Sequence, residues 1–166
     1  AWYDASGLDS LGWATPSIIK GRWHRFELYF FGSSTRTGII QMWELNSATS
    51  RTQIGNGTGL NTLHASQQWG LVQFPGYARI DRTAINYFDD IYVATGPGAR
   101  ARVEIGNSST YVSSTNLAVA TVTSWSDTQV AAIIRQGSFQ SGQTAYLYLV
   151  NSSGAVNSQG YPVTIG

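Results

Sequence analysis

Six side chains carry the chemistry most readily read from this sequence. Trp23, Arg25, Glu27 and Tyr29 lie in the run GRWHRFELYFFG, and Gln41 and Trp43 lie in GIIQMWELN. Both runs read as β-strands, over 21–32 and 38–46. In the first, alternation puts Trp23, Arg25, Glu27, Tyr29 and Phe31 on one side and His24, Phe26, Leu28 and Phe30 on the other. In the second, Ile39, Gln41, Trp43 and Leu45 share a side. Sugar rings stack their apolar faces on Trp and Tyr, while Arg, Gln and Asn bond the hydroxyls. Two adjoining sides of this kind therefore predict a ligand-binding surface for a glycan. The apolar side with Phe26, Leu28 and Phe30 is expected to face a core, and the aromatic and charged side to face water or ligand. A competing reading makes Trp23 and Trp43 core aromatics beneath a second sheet.

Other combinations make weaker chemistry. Glycoside hydrolysis needs two carboxylates across a cleft, and Glu27 and Glu44 could face each other on neighbouring strands. With nine acids in the chain such a pairing arises easily by chance. Asp89-Asp90 could take a calcium ion with loop carbonyls, but one turn-bound and one hydrated Asp explains the pair more simply. His24 shares a side with Phe26, Leu28 and Phe30, which predicts a packed imidazole rather than a base. His64 lies in a polar loop and is expected to be solvated. No catalytic residue, cofactor or metal is assigned.

Composition sets the frame. The 166 residues include only 11% charged side chains, against about a quarter in ordinary globular domains, with 13% aromatics and many Gly, Ser, Thr and Asn. That balance points to an all-β protein with many turns, exposed at the outside of a cell or particle. A net charge of +1 provides no electrostatic footprint for nucleic acid. The absence of cysteine excludes disulfides and thiolate metal sites. No stretch approaches the roughly 20 apolar residues that cross a bilayer. The chain starts at Ala1, as expected of a processed product or the tail of a longer protein.

In chain order, 1–20 lacks a period but carries Trp2, Tyr3 and Trp13, and is expected to pack. After the two strands above, 51–54 reads as a short return strand stopped by GNGTG at 55–59. Further strands are expected over 66–74 and 84–95, with Tyr87, Asp89, Ile91 and Val93 on one side. At Thr95-Gly-Pro-Gly98 the composition breaks, dividing the chain into domains at 1–97 and 98–166. Beyond it, short strands are expected over 102–105, 117–123, 129–135, 144–150 and 161–165, as in small sandwiches. With only about 70 residues, this half needs its neighbour's surface to complete a core.

Two resemblances add to this reading. WHRFELYF, GIIQMWELN and YFDDIYVAT, within about 20–95, resemble the closing strands of a concanavalin-like jelly roll, as in laminin-G-like and polysaccharide-lyase-like proteins. WSDTQVAAIIRQGSF and TAYLYLVNSSGAVNSQGYPVTIG resemble the later strands of an IPT/TIG immunoglobulin-like domain. They imply a jelly-roll-like β-sandwich followed by a small Ig-like β-sandwich. A lyase of the first type would use a Tyr or His base with an Arg or Gln on the uronate, for which His24, Arg25, Tyr29, Gln41 and Arg79 are candidates. The family's R-T-E-x-R and Y-F-K-x-G-x-Y strands are missing, and Tyr87-Phe-Asp-Asp-Ile-Tyr92 carries acids where the lyase has lysine.

The expected function is a non-catalytic structural or attachment protein displayed on a cell or virion surface, such as a phage decoration or fibre protein or a bacterial surface protein. Its expected partners are a polysaccharide or cell-surface glycan and further protein subunits that complete the half-sized jelly roll. The alternatives are a carbohydrate-binding module pair from a secreted polysaccharide-degrading enzyme, and a polysaccharide lyase fragment.

Overall fold

A computed structural model describes residues 2–3, 10–11, 19–46, 49–64, 67–68, 70, 85 and 87–166. The protein is all-β, with antiparallel pairing throughout the described residues. β1 (Trp2–Tyr3) and β2 (Ser10–Leu11) form a short ladder. β3 (His24–Phe31), β4 (Gly38–Asn46) and β5 (Thr49–Leu60) form a three-stranded sheet with β4 in the centre. β6 (Arg102–Gly106), β7 (Leu117–Trp125), β8 (Val130–Ile133), β9 (Thr144–Val150) and β10 (Tyr161–Thr164) form a five-stranded sheet in the order β10-β9-β6-β7-β8. The strands of the two larger sheets thus come from separate stretches of chain.

The five-stranded sheet follows the expected strands closely, because each is short, apolar at alternate positions and bounded by turn residues. Pro162 sits on the edge strand β10, where a missing N–H breaks no ladder. One side of the sheet is closed by its own loops: Ile105 and Ala145 pack with Phe139 and Ile165. Alternation in β6 sends Arg102 and Glu104 to the other side, with Tyr148 of β9 and Leu117 of β7. There Leu45 of β4 joins Tyr111, Leu117 and Tyr148 in a core shared between the two sheets.

Three expectations change. The return strand after β4 is not stopped at 55–59 but runs to Leu60, with Gly55 and Gly57 opposite Met42 and Ile40. Ladder pairing with a long apolar neighbour outweighs the turn tendency of GNGTG, and Gly59 takes a left-handed φ of 69° near the strand's end. The strand expected over 84–95 does not form in residues 87–95, whose backbone pairs with no strand. Asp90 has a φ of 50°, and its N–H goes to the Asp89 carboxylate, which interrupts the extended run. The apolar side of β3 is also not a closed core. Phe26 and Leu28 are 39% and 42% exposed, while the charged side meets the second sheet. The strand expected over 66–74 and Arg79 fall largely outside the described residues.

Candidate functional site

The register brings the two expected sides together. Tyr29 lies opposite Gln41, Glu27 opposite Trp43 and Arg25 opposite Leu45. These pairs form one continuous face of the three-stranded sheet, whose two ends have different fates.

At the Arg25 end the face closes onto β6 through an ionic seam. Glu104, with no exposed side-chain surface, accepts from Arg102 Nε at 2.6 Å, Arg25 Nη2 at 2.5 Å and the Tyr111 hydroxyl at 2.9 Å. Glu27 accepts from Arg51 Nε at 2.9 Å and Nη2 at 3.0 Å, and from Arg102 Nη2 at 2.9 Å. Arg25 also donates to the Leu117 carbonyl at 3.0 Å. Burial alone would push the Glu104 carboxyl up, but Arg25 and Arg102 outweigh it and hold it at about 2. Burial likewise raises Glu27, and Arg51, Arg102 and Arg25 bring it below the usual carboxylate range. Burial and the neighbouring Glu104 charge raise the Tyr111 phenol, so it stays a hydrogen-bond donor.

Trp43 is 8% exposed and carries the Arg51 guanidinium 4.2 Å above its ring. The crevice lined by Arg25, Glu27, Trp43, Arg51 and Leu117 has no interior room for a water molecule. Arg25, Glu27 and Trp43 are therefore turned to the second sheet rather than to a ligand. Trp23 lies just before β3 and is 65% exposed, apart from this seam.

At the Tyr29 end the same face is partly open, with Phe31 and Asn56 exposed and Tyr29 and Gln41 half-buried. Tyr29, Gln41 and Asn56 form a row across all three strands. Gln41 Nε2 donates to Asn56 Oδ1 at 2.8 Å, which fixes both amides and leaves the Gln41 carbonyl and the Asn56 NH2 toward solvent. The next row pairs Phe31 with Ile39 and Ile39 with Thr58, and Phe31 is 47% exposed. Arg100, from the segment entering β6, lies 4.4 Å over the Tyr29 ring. Aromatic surface, two oriented amides and a cation thus stand side by side.

No family model matches the chain, nor does any curated protein or solved structure. The chemistry of the site therefore rests on its own geometry.

The remaining reactive residues have structural partners. Glu27 and Glu44 do not face each other: Glu44 lies opposite Phe26, on the other side of the sheet from Glu27. There Glu44 meets His24 Nδ1 at 2.9 Å, both side chains being 7% exposed. His24 Nε2 meets the backbone of Ile19 and the ring stacks on Phe26, so the imidazole is a packed one. His64 is exposed. Among the described residues no group of three His, Asp or Glu side chains could hold a metal, and the Asp89 carboxylate caps the Asp90 N–H. No helix of the described residues is long and apolar enough to cross a membrane. Trp125 is 44% exposed at the end of β7.

Glu104 and Arg102 escaped the sequence reading, although a signal existed. Arg25 and Glu27 are two apart in one strand, and Arg102 and Glu104 are two apart in another. In each strand the pair therefore shares a side, and each pair complements the other in charge.

Proposed function

We propose that this protein is a non-catalytic surface attachment module that contacts glycan through the open end of the three-stranded sheet. The observation carrying this reading is the row Tyr29–Gln41–Asn56 beside exposed Phe31. Stacking surface and fixed amide donors and acceptors at one spot are what a polyhydroxylated ring requires. A non-catalytic role is supported by the commitment of Glu27, Glu104, Glu44 and His24 to structural pairs. The ionic seam holds the glycan face rigidly against the neighbouring sheet, which suits a module that bears load at a cell or virion surface. Jelly-roll and Ig-like ancestry for the two sheets belongs to this proposal.

The test is binding to a panel of immobilised neutral and acidic oligosaccharides, with Phe31→Ala and Gln41→Ala as variants. Both changes lie at exposed or half-exposed positions, so folding should survive and binding should fall. Binding that both variants leave intact would remove the row as the contact.

A second element of the reading is self-association. Phe26 and Leu28 on the back of the sheet, and Tyr87, Ile91 and Val93 in the unpaired segment, leave apolar surface in water. Light scattering on a sizing column should give a multiple of 18.0 kDa. A monomer at all concentrations would remove the assembly role and leave a free-standing binding module.

A further inference from the structure

We infer that the glycan taken by this row is an acidic one, its carboxylate received by Arg100; the inference rests on reading the row as a glycan contact. Arg100 differs from the other arginines near it. Arg25, Arg51 and Arg102 each donate to a carboxylate in the seam. Arg100 is half-buried, yet among the described residues its guanidinium has no acceptor, and its side chain meets only the Tyr29 ring and the chain around Gly154.

The second wall of its slot is built as carefully as the first. Gly154 has a φ of 85°, and a Cβ there would overlap Arg100, nearly equidistant from Nε, Cζ and Nη2, which places that backbone over the flat of the guanidinium. The loop holding Gly154 is itself tied down. Asn151 Oδ1 accepts from the Ser153 N–H at 3.0 Å, the Ser153 hydroxyl at 2.7 Å and the Ala155 N–H at 3.0 Å. With the Tyr29 ring 4.4 Å from Cζ and the loop over the flat of the guanidinium, the N–H donors, which have no acceptor among the described residues, remain to meet a ligand.

A guanidinium edge fits a carboxylate with two parallel hydrogen bonds. The local field favours an anion too. Among the described residues the seam beside it sets three guanidiniums against two carboxylates, an excess of one positive charge. The Gln41 carbonyl and the Asn56 NH2 stand in the adjoining strands for the sugar hydroxyls, and Phe31 offers a ring face. A sugar with a carboxylate at its rim, a uronic acid residue, matches this set.

Calorimetric titration of the full chain with an oligogalacturonate and with its fully methyl-esterified form tests the inference without altering the protein. The ester keeps every hydroxyl and loses the charge. The acid should bind at least about tenfold more tightly than the ester. Arg100→Gln should remove that advantage, read as the ratio of acid to ester affinity. Gly154→Ala, which displaces the guanidinium and keeps its charge, should do the same, with thermal melting reporting the folding of each variant.

Equal binding of acid and ester, or full acid binding by a folded Arg100→Gln, would overturn the inference and leave the row a neutral-glycan contact. Equal binding of sulfated dextran at physiological ionic strength would overturn the carboxylate assignment in favour of charge alone. Absence of binding to these and to every oligosaccharide of the wider panel would overturn the glycan reading itself, and this inference with it.

Discussion

Replacing Glu104 by Gln tests the seam with the loss of one charge and little change of shape. The carboxylate has no exposed surface and receives Arg102, Arg25 and Tyr111 at 2.5–2.9 Å. An amide keeps one acceptor oxygen, but it leaves three guanidiniums to share the single carboxylate of Glu27. Removing one partner of a buried ion pair costs about 3–5 kcal/mol. For a chain of this size that is a fall in Tm of roughly 6–20 °C. The same site sets the acid limit. Because the folded-state value of Glu104, about 2, lies below its ordinary 4.5, its contribution is full above pH 4.5 and is lost as pH falls toward 2. Over that window the shift corresponds to about 3 kcal/mol. Glu27, also lowered, adds to the loss in the same direction. Urea unfolding followed by tryptophan fluorescence from pH 7 to pH 2 should show a plateau and then a decline for the natural chain. Glu104→Gln should start lower and decline less. A variant within 1 kcal/mol of the natural protein at pH 7, with an unchanged acid profile, would refute the claim that the seam holds the sheets together.

Other outcomes follow from single contacts. Trp43→Ala should cost about 3–5 kcal/mol, since the ring is buried and carries Arg51, whereas Trp23→Ala should stay within about 0.5 kcal/mol; denaturant titration of the pair separates core from surface. Thr62→Val removes the hydroxyl that accepts from the Ser33 N–H and donates to the Phe31 carbonyl, both at 2.8 Å, and should cost about 2–3 kcal/mol in the same titration. Gly154→Ala should cost about 1–3 kcal/mol through its positive φ alone, read as a lower Tm. Above pH 10 stability should decline, because the raised Tyr111 and Tyr148 phenols resist an ionisation that the unfolded chain undergoes freely; spectrophotometric titration should find these two tyrosines ionising late.

The strands were largely legible in the sequence because alternation and turn residues agree there. Arg102–Gly106, Thr144–Val150 and Tyr161–Thr164 formed within a residue of their expected bounds. Two misreadings share a cause. The run GNGTG carries local turn chemistry, and only the neighbouring strand reveals that pairing prevails. The strand expected over 84–95 rests on apolar alternation, while the left-handed Asp90 that interrupts it leaves no trace in periodicity. Alternation alone leaves the charged side of β3 open to water or ligand or to a covering second sheet, and the structure shows the second sheet at its Arg25 end. The complement of Arg25 and Glu27, Arg102 and Glu104, lies some 80 positions away in sequence, and no window spans both. Tyr29 and Gln41 could be placed together from alternation alone, but Asn56 and Arg100 required the register and the loop.

The seam gives the protein an unusual heat balance. Where two sheets meet through apolar side chains, their attachment carries a large heat-capacity increment and weakens on cooling. Here guanidiniums and carboxylates occupy much of that contact beside the small cluster of Leu45, Tyr111, Leu117 and Tyr148. Polar surface contributes to heat capacity with the opposite sign, and the cost of dehydrating charges shrinks as temperature rises. The ionic part of the attachment should therefore strengthen on warming, while its heat-capacity increment comes from the small apolar cluster alone.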